Sequence, residues 1–94
     1  MIVNFDTQLV NLKGEALKEN DTPVTLKDIC ANALLANDEK MEGRIKLENW
    51  NLAQLVYKGG EIELTAEQVV KMKDMVAKHF PTLVAGQVLN ILDK

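Results

Sequence analysis

The chain has few of the residues that catalytic and metal sites need, since its 94 residues include one cysteine and one histidine. Cys30 has no partner for an internal disulfide, and one cysteine with one histidine cannot form a structural zinc site. Catalysis by a cysteine or serine nucleophile needs a base and an orienting group, and His79 is the single residue of the usual base type. We therefore expect a protein that is not an enzyme and uses no metal or cofactor, with a small enzyme as the least favoured alternative.

The sequence also lacks a basic excess and long apolar runs. Acidic residues outnumber basic residues 14 to 11, which gives a net charge of -3. Because nucleic-acid-binding domains usually carry a clustered positive excess, this charge disfavours nucleic acid as a partner. No stretch approaches the roughly 18 apolar residues of a membrane span, and the opening MIVNFDTQLVNL does not resemble a signal peptide. We expect no membrane segment and, with one unpaired cysteine, a cytoplasmic location.

The hydrophobic content of 47% is high enough for a packed core, and no linker or repeat divides the sequence. Residues 1–94 are therefore expected to form a single domain. A domain of this size has little spare core, so part of its apolar surface can close a subunit interface. A homodimer is the simplest assembly that would use such a surface.

The residue patterns predict an α+β fold that is mainly α, with about four helices, a small N-terminal β-hairpin and one further short strand. Irregular apolar spacing around a Lys-Gly pair predicts the hairpin over residues 2–17, and turn-forming residues predict a loop over 18–23. The alternation in EIEL, at 61–64, predicts a short strand that pairs with the hairpin.

The first two helices are predicted from apolar residues that recur at helical spacing. Thr25 is a suitable N-cap for the first helix, which is expected to run from about Leu26 to Ala36. Gly59-Gly60 is a strong stop for the second helix. The predicted core stripes consist of Leu26, Ile29, Cys30 and Ala33 in the first helix, and of Ile45, Leu52 and Val56 in the second.

The third and fourth helices have clearer boundaries. Thr65 and Gln68 have the spacing of a capping box, and Pro81 ends the third helix before Thr82 can cap the fourth. The third helix is expected to bury Val69, Met72, Val76 and Phe80, flanked by Val70, Ala77, Met75 and His79. The fourth is expected to bury Val84, Val88, Ile91 and Leu92, with Gln87 and Asn90 facing water and Gly86 either permitting close packing or marking a break.

Several groups of reactive residues have simple structural interpretations. Cys30 is expected to be a small buried apolar residue, and His79 suits the negative end of a helix dipole. Glu61 and Glu63 share one face of a strand, where two carboxylates could bind a metal, but a solvated face is the favoured interpretation. Asp38, Glu39 and Glu42 are likewise predicted to form a solvated turn. Gly59-Gly60 is not followed by the residues of a phosphate-binding loop.

The most suggestive surface is one edge of the second helix, where Trp50, Ala53 and Tyr57 are displaced from the core stripe. Either the two aromatic residues widen the core, or they are exposed anchors for a partner. Leu35 points away from the stripe of the first helix, toward a second layer or a partner. Asn49 lies within the apolar arc, where it bonds to backbone or specifies the register of an interface.

Basic residues accompany this aromatic edge. Arg44, Lys46 and Lys58 give the second helix a local positive charge, which with Trp50 and Tyr57 could contact single-stranded nucleic acid. Three basic residues and no repeated aromatic platform make that alternative less favoured than protein binding. The candidate partner-binding residues are Trp50, Tyr57, Leu35, Arg44, Lys46 and Lys58.

Three segments, TLKDICANALL, EIELTAEQV and LVAGQVLNIL, resemble a family of small proteins encoded by tailed bacteriophages and prophages. They cover about a third of the chain. They contain helix caps and apolar stripes, so the resemblance assigns no functional residue. It implies a protein that acts in the cytoplasm of a bacterial host during infection or lysogeny, and such proteins are often adaptors, assembly factors or inhibitors of a host protein.

Overall fold

The computed structural model describes residues 1–36 and 40–93. Within these ranges the helices are α1 (Leu26–Leu35), α2 (Gly43–Tyr57), α3 (Ala66–His79) and α4 (Thr82–Leu92). The strands are β1 (Ile2–Asn4), β2 (Lys18–Glu19), β3 (Thr22–Pro23) and β4 (Glu61–Glu63). The predicted class is confirmed, because the fold is mainly helical and its β structure is limited to two small antiparallel pairs.

The N-terminal strand pairs with a distant strand. β1 is antiparallel to β4, with Val3 opposite Ile62, so the predicted pairing of the 61–64 strand with the N-terminal region is confirmed. The hairpin predicted over residues 2–17 is present in its second half, around the Lys13-Gly14 turn, where Val10 bridges Ala16 in antiparallel fashion. The Leu17 N–H donates to the Leu9 carbonyl at 2.8 Å across the same turn. The start of the range differs from the prediction, because Ile2–Asn4 pairs with β4. Val3 is buried, and its strand is completed across the fold by β4.

A hairpin is present in the range that was predicted to be a loop. β2 pairs with β3, and the two residues between them, Asn20 and Asp21, have φ angles of 51° and 65°. Two-residue hairpin turns need left-handed backbone, which Asn and Asp adopt more readily than other side-chain-bearing residues. The polar, turn-forming composition of residues 18–23 therefore reflects a tight hairpin instead of an open loop.

The starts of α1 and α3 follow the predicted caps, whereas the prediction that Thr82 caps α4 is wrong, because Thr82 is the first helical residue and Pro81 is the N-cap. At the start of α3, the Thr65 hydroxyl accepts a hydrogen bond from the Gln68 backbone N–H, and the Gln68 side chain accepts one from the Thr65 N–H at 2.9 Å. At the start of α1, the Asp28 carboxylate accepts hydrogen bonds from the backbone and hydroxyl of Thr25. These contacts satisfy amides that have no partner inside the helix.

The core is built from the inward stripes of the helices together with the N-terminal segment. The predicted helical residues that are fully or almost fully buried are Leu26, Ile29, Cys30, Ala33, Leu52, Val56, Val69, Met72, Met75, Val76, Val88 and Leu92. Phe5 and Leu9, from the N-terminal segment, are also fully buried. Ile45, Phe80, Val84 and Ile91 are half-buried at the edge of the core.

Two predictions about helix faces are wrong. Val70 and Ala77 are exposed instead of flanking the buried stripe, because α3 packs mainly against α1 and α4 and leaves that side uncovered. Gln87 does not face water. Its side-chain oxygen accepts a hydrogen bond from the Val10 N–H at 2.9 Å, and its side-chain nitrogen donates to the Val10 carbonyl at 2.6 Å.

Gly86 fulfils neither predicted role. The α4 helix continues through it, so it does not mark a break. A Cβ atom added at Gly86 would meet no heavy atom within 4 Å, so it does not allow close helix packing either. The absent side chain leaves a small open site on the exposed side of the helix.

Candidate functional site

An open groove of about 600 Å³ lies between α1 and α2. These two helices pack extensively against each other, and the groove follows the exposed side of their contact. Its described lining residues are Ala31, Asn32, Leu35, Trp50, Ala53, Gln54, Tyr57 and Lys58. We call this surface the α1–α2 groove.

Helical spacing explains how each side of the groove is assembled. On α2, Trp50, Ala53 and Tyr57 follow one another at intervals of three and four residues, which places them on one face. On α1, Ala31 and Leu35 are four residues apart and share a face for the same reason. Ala31 and Ala53 are both buried, so small side chains form the floor between the larger side chains of the walls.

The large apolar residues of the groove are open to solvent. Leu35 is 51% exposed, Trp50 50% and Tyr57 57%. The interpretation in which the two aromatic residues widen the core is therefore wrong, and Leu35 does not contact a second buried layer. The structure brings the aromatic edge and the Leu35 side of α1, predicted separately, into one concave surface.

The charged residues near the groove are concentrated at its Tyr57 end. Lys58 is the single charged residue among the described lining residues. The Lys27 ammonium lies 5.8 Å from the centre of the Tyr57 ring, within range of a cation–π interaction, and 3.7 Å from a carboxylate oxygen of Asp6. This contact was not predicted, because Lys27 and Tyr57 lie on different helices and no local pattern relates them.

The remaining basic candidates do not line the groove. Arg44 and Lys46 are exposed near the start of α2, and neither contributes to the described lining. A surface for stacking nucleic-acid bases would need basic residues interleaved with the aromatic residues. Of the three predicted basic residues, only Lys58 is brought beside them.

Asn49 faces the other side of α2. Its side chain is 2% exposed, and its amide nitrogen donates to the Met41 sulfur at 3.4 Å. Its amide oxygen has no hydrogen-bond partner among the described residues. Asn49 therefore does not make the predicted bond to backbone, and it contributes instead to the wall of a shallow concavity of about 340 Å³ between α2 and α3.

A second concavity between α2 and α3, of about 520 Å³, has a mixed polar lining. Lys71 crosses it and donates a hydrogen bond to the Glu48 carboxylate at 3.0 Å. This hydrogen bond, aided by the positive charge of Lys71, lowers the pKa of Glu48 below its usual value. The pair joins α2 to α3.

The reactive side chains singled out in the sequence lie in different surroundings. Burial raises the pKa of the Cys30 thiol to about 12, so the thiolate is absent near neutral pH. His79 is half-buried in the last turn of α3, as predicted. Over residues 1–36 and 40–93, no three residues of the His, Cys, Asp and Glu types converge to hold a metal ion. Glu61 and Glu63 are exposed, and the predicted acidic turn lies partly outside the described residues, at Asp38 and Glu39.

No family model, curated protein or solved structure matches this chain. The likeness to small phage proteins therefore stays a prediction from sequence. Among the helices in the described part of the chain, none is both long and apolar enough to cross a membrane. The α1–α2 groove, with its exposed Leu35, Trp50 and Tyr57, is the candidate functional site.

Proposed function

We propose that this protein is a non-catalytic interaction module that binds another protein through the α1–α2 groove. The observation that supports this proposal is the convergence of Leu35, Trp50 and Tyr57, each about half exposed, on one concave surface. Single exposed apolar residues are ordinary, whereas a contiguous apolar patch with a polar border is typical of interaction sites. Trp and Tyr are also the residues most enriched among the energetic centres of protein interfaces.

The sequence resemblance suggests a setting for this interaction. Small phage proteins like those that the sequence resembles are often adaptors, assembly factors or inhibitors of a host protein in the bacterial cytoplasm. Such roles need a binding surface and no catalytic residues. The proposal is consistent with a buried Cys30 and with reactive side chains that do not converge.

Site-specific photocrosslinking in bacterial cells tests whether the groove is the binding surface. A photoreactive phenylalanine derivative replaces Leu35 in the groove or, as a matched control, Leu12 in the N-terminal segment. Leu12 is 98% exposed and lies outside the groove lining. We expect a discrete crosslinked adduct from position 35 and none from position 12, because contact with the partner brings only the groove within reach of the reagent.

Two alanine variants complete the test. Trp50→Ala and Tyr57→Ala, each combined with the photoreactive group at position 35, should remove the adduct, while Leu12→Ala should leave it. Because both aromatic residues are about half exposed, their removal should cost much less stability than that of a buried aromatic residue. Equal adducts from positions 35 and 12, or an adduct that survives both variants, would contradict the proposal.

A further inference from the structure

The α1–α2 groove has a size and a charge that restrict what it can bind. The exposed parts of Leu35, Trp50 and Tyr57 offer roughly 300 Å² of apolar area, given that an aromatic side chain carries about 150–250 Å². Interfaces between two folded proteins usually bury about 800 Å² on each side. The apolar part of the groove therefore matches one short segment better than a whole folded surface.

The shape of the groove favours a helical segment. Trp50 and Tyr57 are two helical turns apart, which is about 10 Å along α2 at 1.5 Å per residue. Between these walls the floor is formed by Ala31 and Ala53, whose small side chains leave space for a large side chain from outside. An amphipathic helix with apolar residues at i, i+4 and i+7 presents side chains over the same length.

The charge distribution selects an acidic segment. Lys58 is exposed at the Tyr57 end, and no carboxylate is present among the described lining residues to neutralise it. Lys27 also lies at this end, where Asp6 is paired with it at 3.7 Å. Glu19 and Asp28 line a neighbouring concavity that Tyr57 also lines, so the positive charge of the groove lining itself is that of Lys58. An Asp or Glu on the bound segment can pair with Lys58 at the border of the groove, where it stays accessible to water.

A second copy of this chain fits the groove less well. A symmetric dimer uses the same surface on both copies. Two Lys58 side chains would then enter one interface whose described lining has no carboxylate to pair with either of them. Neither Lys58 would gain a carboxylate partner from the described lining of the other copy, so a second copy lacks charge complementarity to this groove.

We propose that the α1–α2 groove binds an acidic amphipathic helix of another protein, with its apolar side chains between Trp50 and Tyr57 and a carboxylate paired with Lys58. This inference rests on the proposed function and specifies the chemistry of the partner. The proposal predicts that the groove prefers a negatively charged segment, although the net charge of the protein is -3.

The single tryptophan allows a direct binding measurement, because Trp50 lies in the groove and is the sole source of tryptophan fluorescence. The probes are two synthetic peptides of about 16 residues, long enough to form a helix. Both carry leucine at i, i+4 and i+7, and they differ only in having glutamate or lysine beside the leucines. The glutamate peptide should shift Trp50 emission to shorter wavelength and bind about fivefold more tightly than the lysine peptide, with less difference at high salt.

Charge reversal then identifies the residue responsible for the preference. Lys58→Glu should reverse the order of the two peptides, whereas the matched control Lys46→Glu, outside the lining of the same helix, should change it little. Tyr57→Ala keeps the tryptophan and should weaken binding of both peptides. If both peptides bind equally to the unmodified protein, or if Lys46→Glu acts like Lys58→Glu, the charge preference is wrong.

The crosslinking and peptide-binding experiments together distinguish the acidic-helix proposal from the proposed function. A groove-dependent crosslink in cells with no binding of the glutamate peptide would overturn the acidic-helix proposal and leave the interaction module in place. If neither the groove-dependent crosslink nor binding of the glutamate peptide is observed, both the proposed function and the acidic-helix proposal are wrong. Self-association that Tyr57→Ala abolishes, measured by sedimentation, would identify a second copy as the occupant and would likewise overturn the acidic-helix proposal.

Discussion

The N-terminal segment, residues 1–25, and the helical segment, residues 26–93, are held in place by different kinds of contact. In the N-terminal segment, the Phe5 N–H donates to the Gly60 carbonyl at 2.8 Å and the Phe5 carbonyl accepts from the Lys27 N–H at 2.9 Å. In the helices, backbone bonds are local and the ends are closed by nearby side chains such as Thr65. The N-terminal segment has bonds within itself, as in the β2–β3 pair, but it also needs partners in the helical segment, whereas each helix is held mainly by neighbours along the chain.

This difference has a consequence for stability. A helix end loses one local contact when its cap is removed, and the neighbouring turns remain helical. The N-terminal segment has little regular structure of its own, so it depends on side chains that join it to the rest of the fold. Phe5 joins it through the core and Gln87 joins it through the backbone of Val10. Substitutions at these two residues should therefore be more harmful than changes on the exposed side of α4.

The largest expected effect is that of Phe5→Ala. Phe5 is fully buried, and removing a buried aromatic side chain typically costs about 3–5 kcal/mol through lost apolar burial and the cavity that remains. Urea denaturation should show this loss in the free energy of unfolding. Leu12→Ala, at a residue that is 98% exposed, is the control and should change stability by less than about 0.5 kcal/mol.

A small change in the free energy of unfolding on Phe5→Ala would contradict the expected dependence of the N-terminal segment on the core. It would mean that this segment is peripheral to the core. If Phe5→Ala does not fold, Phe5→Leu provides the same test with a smaller cavity. The amides of β4 should then exchange faster in hydrogen-exchange measurements, since β1 supplies their strand partner.

An intermediate effect is expected for Gln87→Leu. This change keeps an apolar side chain of similar size on α4 but removes both hydrogen bonds to Val10. The loss should be about 1–3 kcal/mol, because the Val10 backbone N–H and C=O are left without their partner in a half-buried position. Thermal unfolding gives the change in stability, and hydrogen exchange of the Val10 amide reports the broken contact directly.

Asn90→Leu is the matched control for this prediction, since Asn90 is an exposed residue of the same helix. It should leave both the stability and the Val10 amide nearly unchanged. Equal losses from the two variants would show that any leucine on α4 is harmful and that the bond to Val10 has no special part in holding the N-terminal segment.

The smallest effect is a gain in stability from Gly86→Ala. Alanine favours helix over glycine by about 1 kcal/mol, and the new methyl group would meet no atom within 4 Å. Gly59→Ala is the contrasting variant. Gly59 has a φ of 76°, and an added Cβ would lie 2.5 Å from a carboxylate oxygen of Asp6, so this change should reduce stability. A loss of stability on Gly86→Ala would show that the exposed side of α4 is constrained in the folded protein.

Predictions that depend on neighbouring residues were correct more often than predictions that depend on residues far apart in the chain. The capping box at Thr65 and the Leu26, Ile29 and Cys30 stripe were predicted correctly, because caps and amphipathic periodicity depend on residues within one or two turns. The contact between Gln87 and Val10 was not, since residues 10 and 87 are adjacent only in the folded chain. A glutamine at a polar position of a helix has no local feature that distinguishes a bond to backbone from contact with water.

In the candidate site, too, single residues were predicted from the sequence but their arrangement was not. Leu35, Trp50 and Tyr57 were each identified from their positions relative to apolar stripes, and Lys58 was identified from its charge. Their assembly into one groove depends on how α1 packs against α2, and the sequence contains no periodic signal for a contact between two helices. Arg44 and Lys46 were selected by charge alone, and the packing places them outside the groove lining.

The amino-acid sequence by itself determined the mainly helical class, the starts of α1 and α3 and most of the buried stripes, because each depends on local backbone and side-chain preferences. Only the tertiary structure decided the register of β1 on β4, the bond between Gln87 and Val10, and the meeting of Leu35 with the aromatic edge of α2 in one groove. These features arise between residues far apart in the chain, where the choice of partner depends on the packing of the whole core. The α1–α2 groove is therefore a property of helix packing, built from side chains that the sequence could identify only one helix at a time.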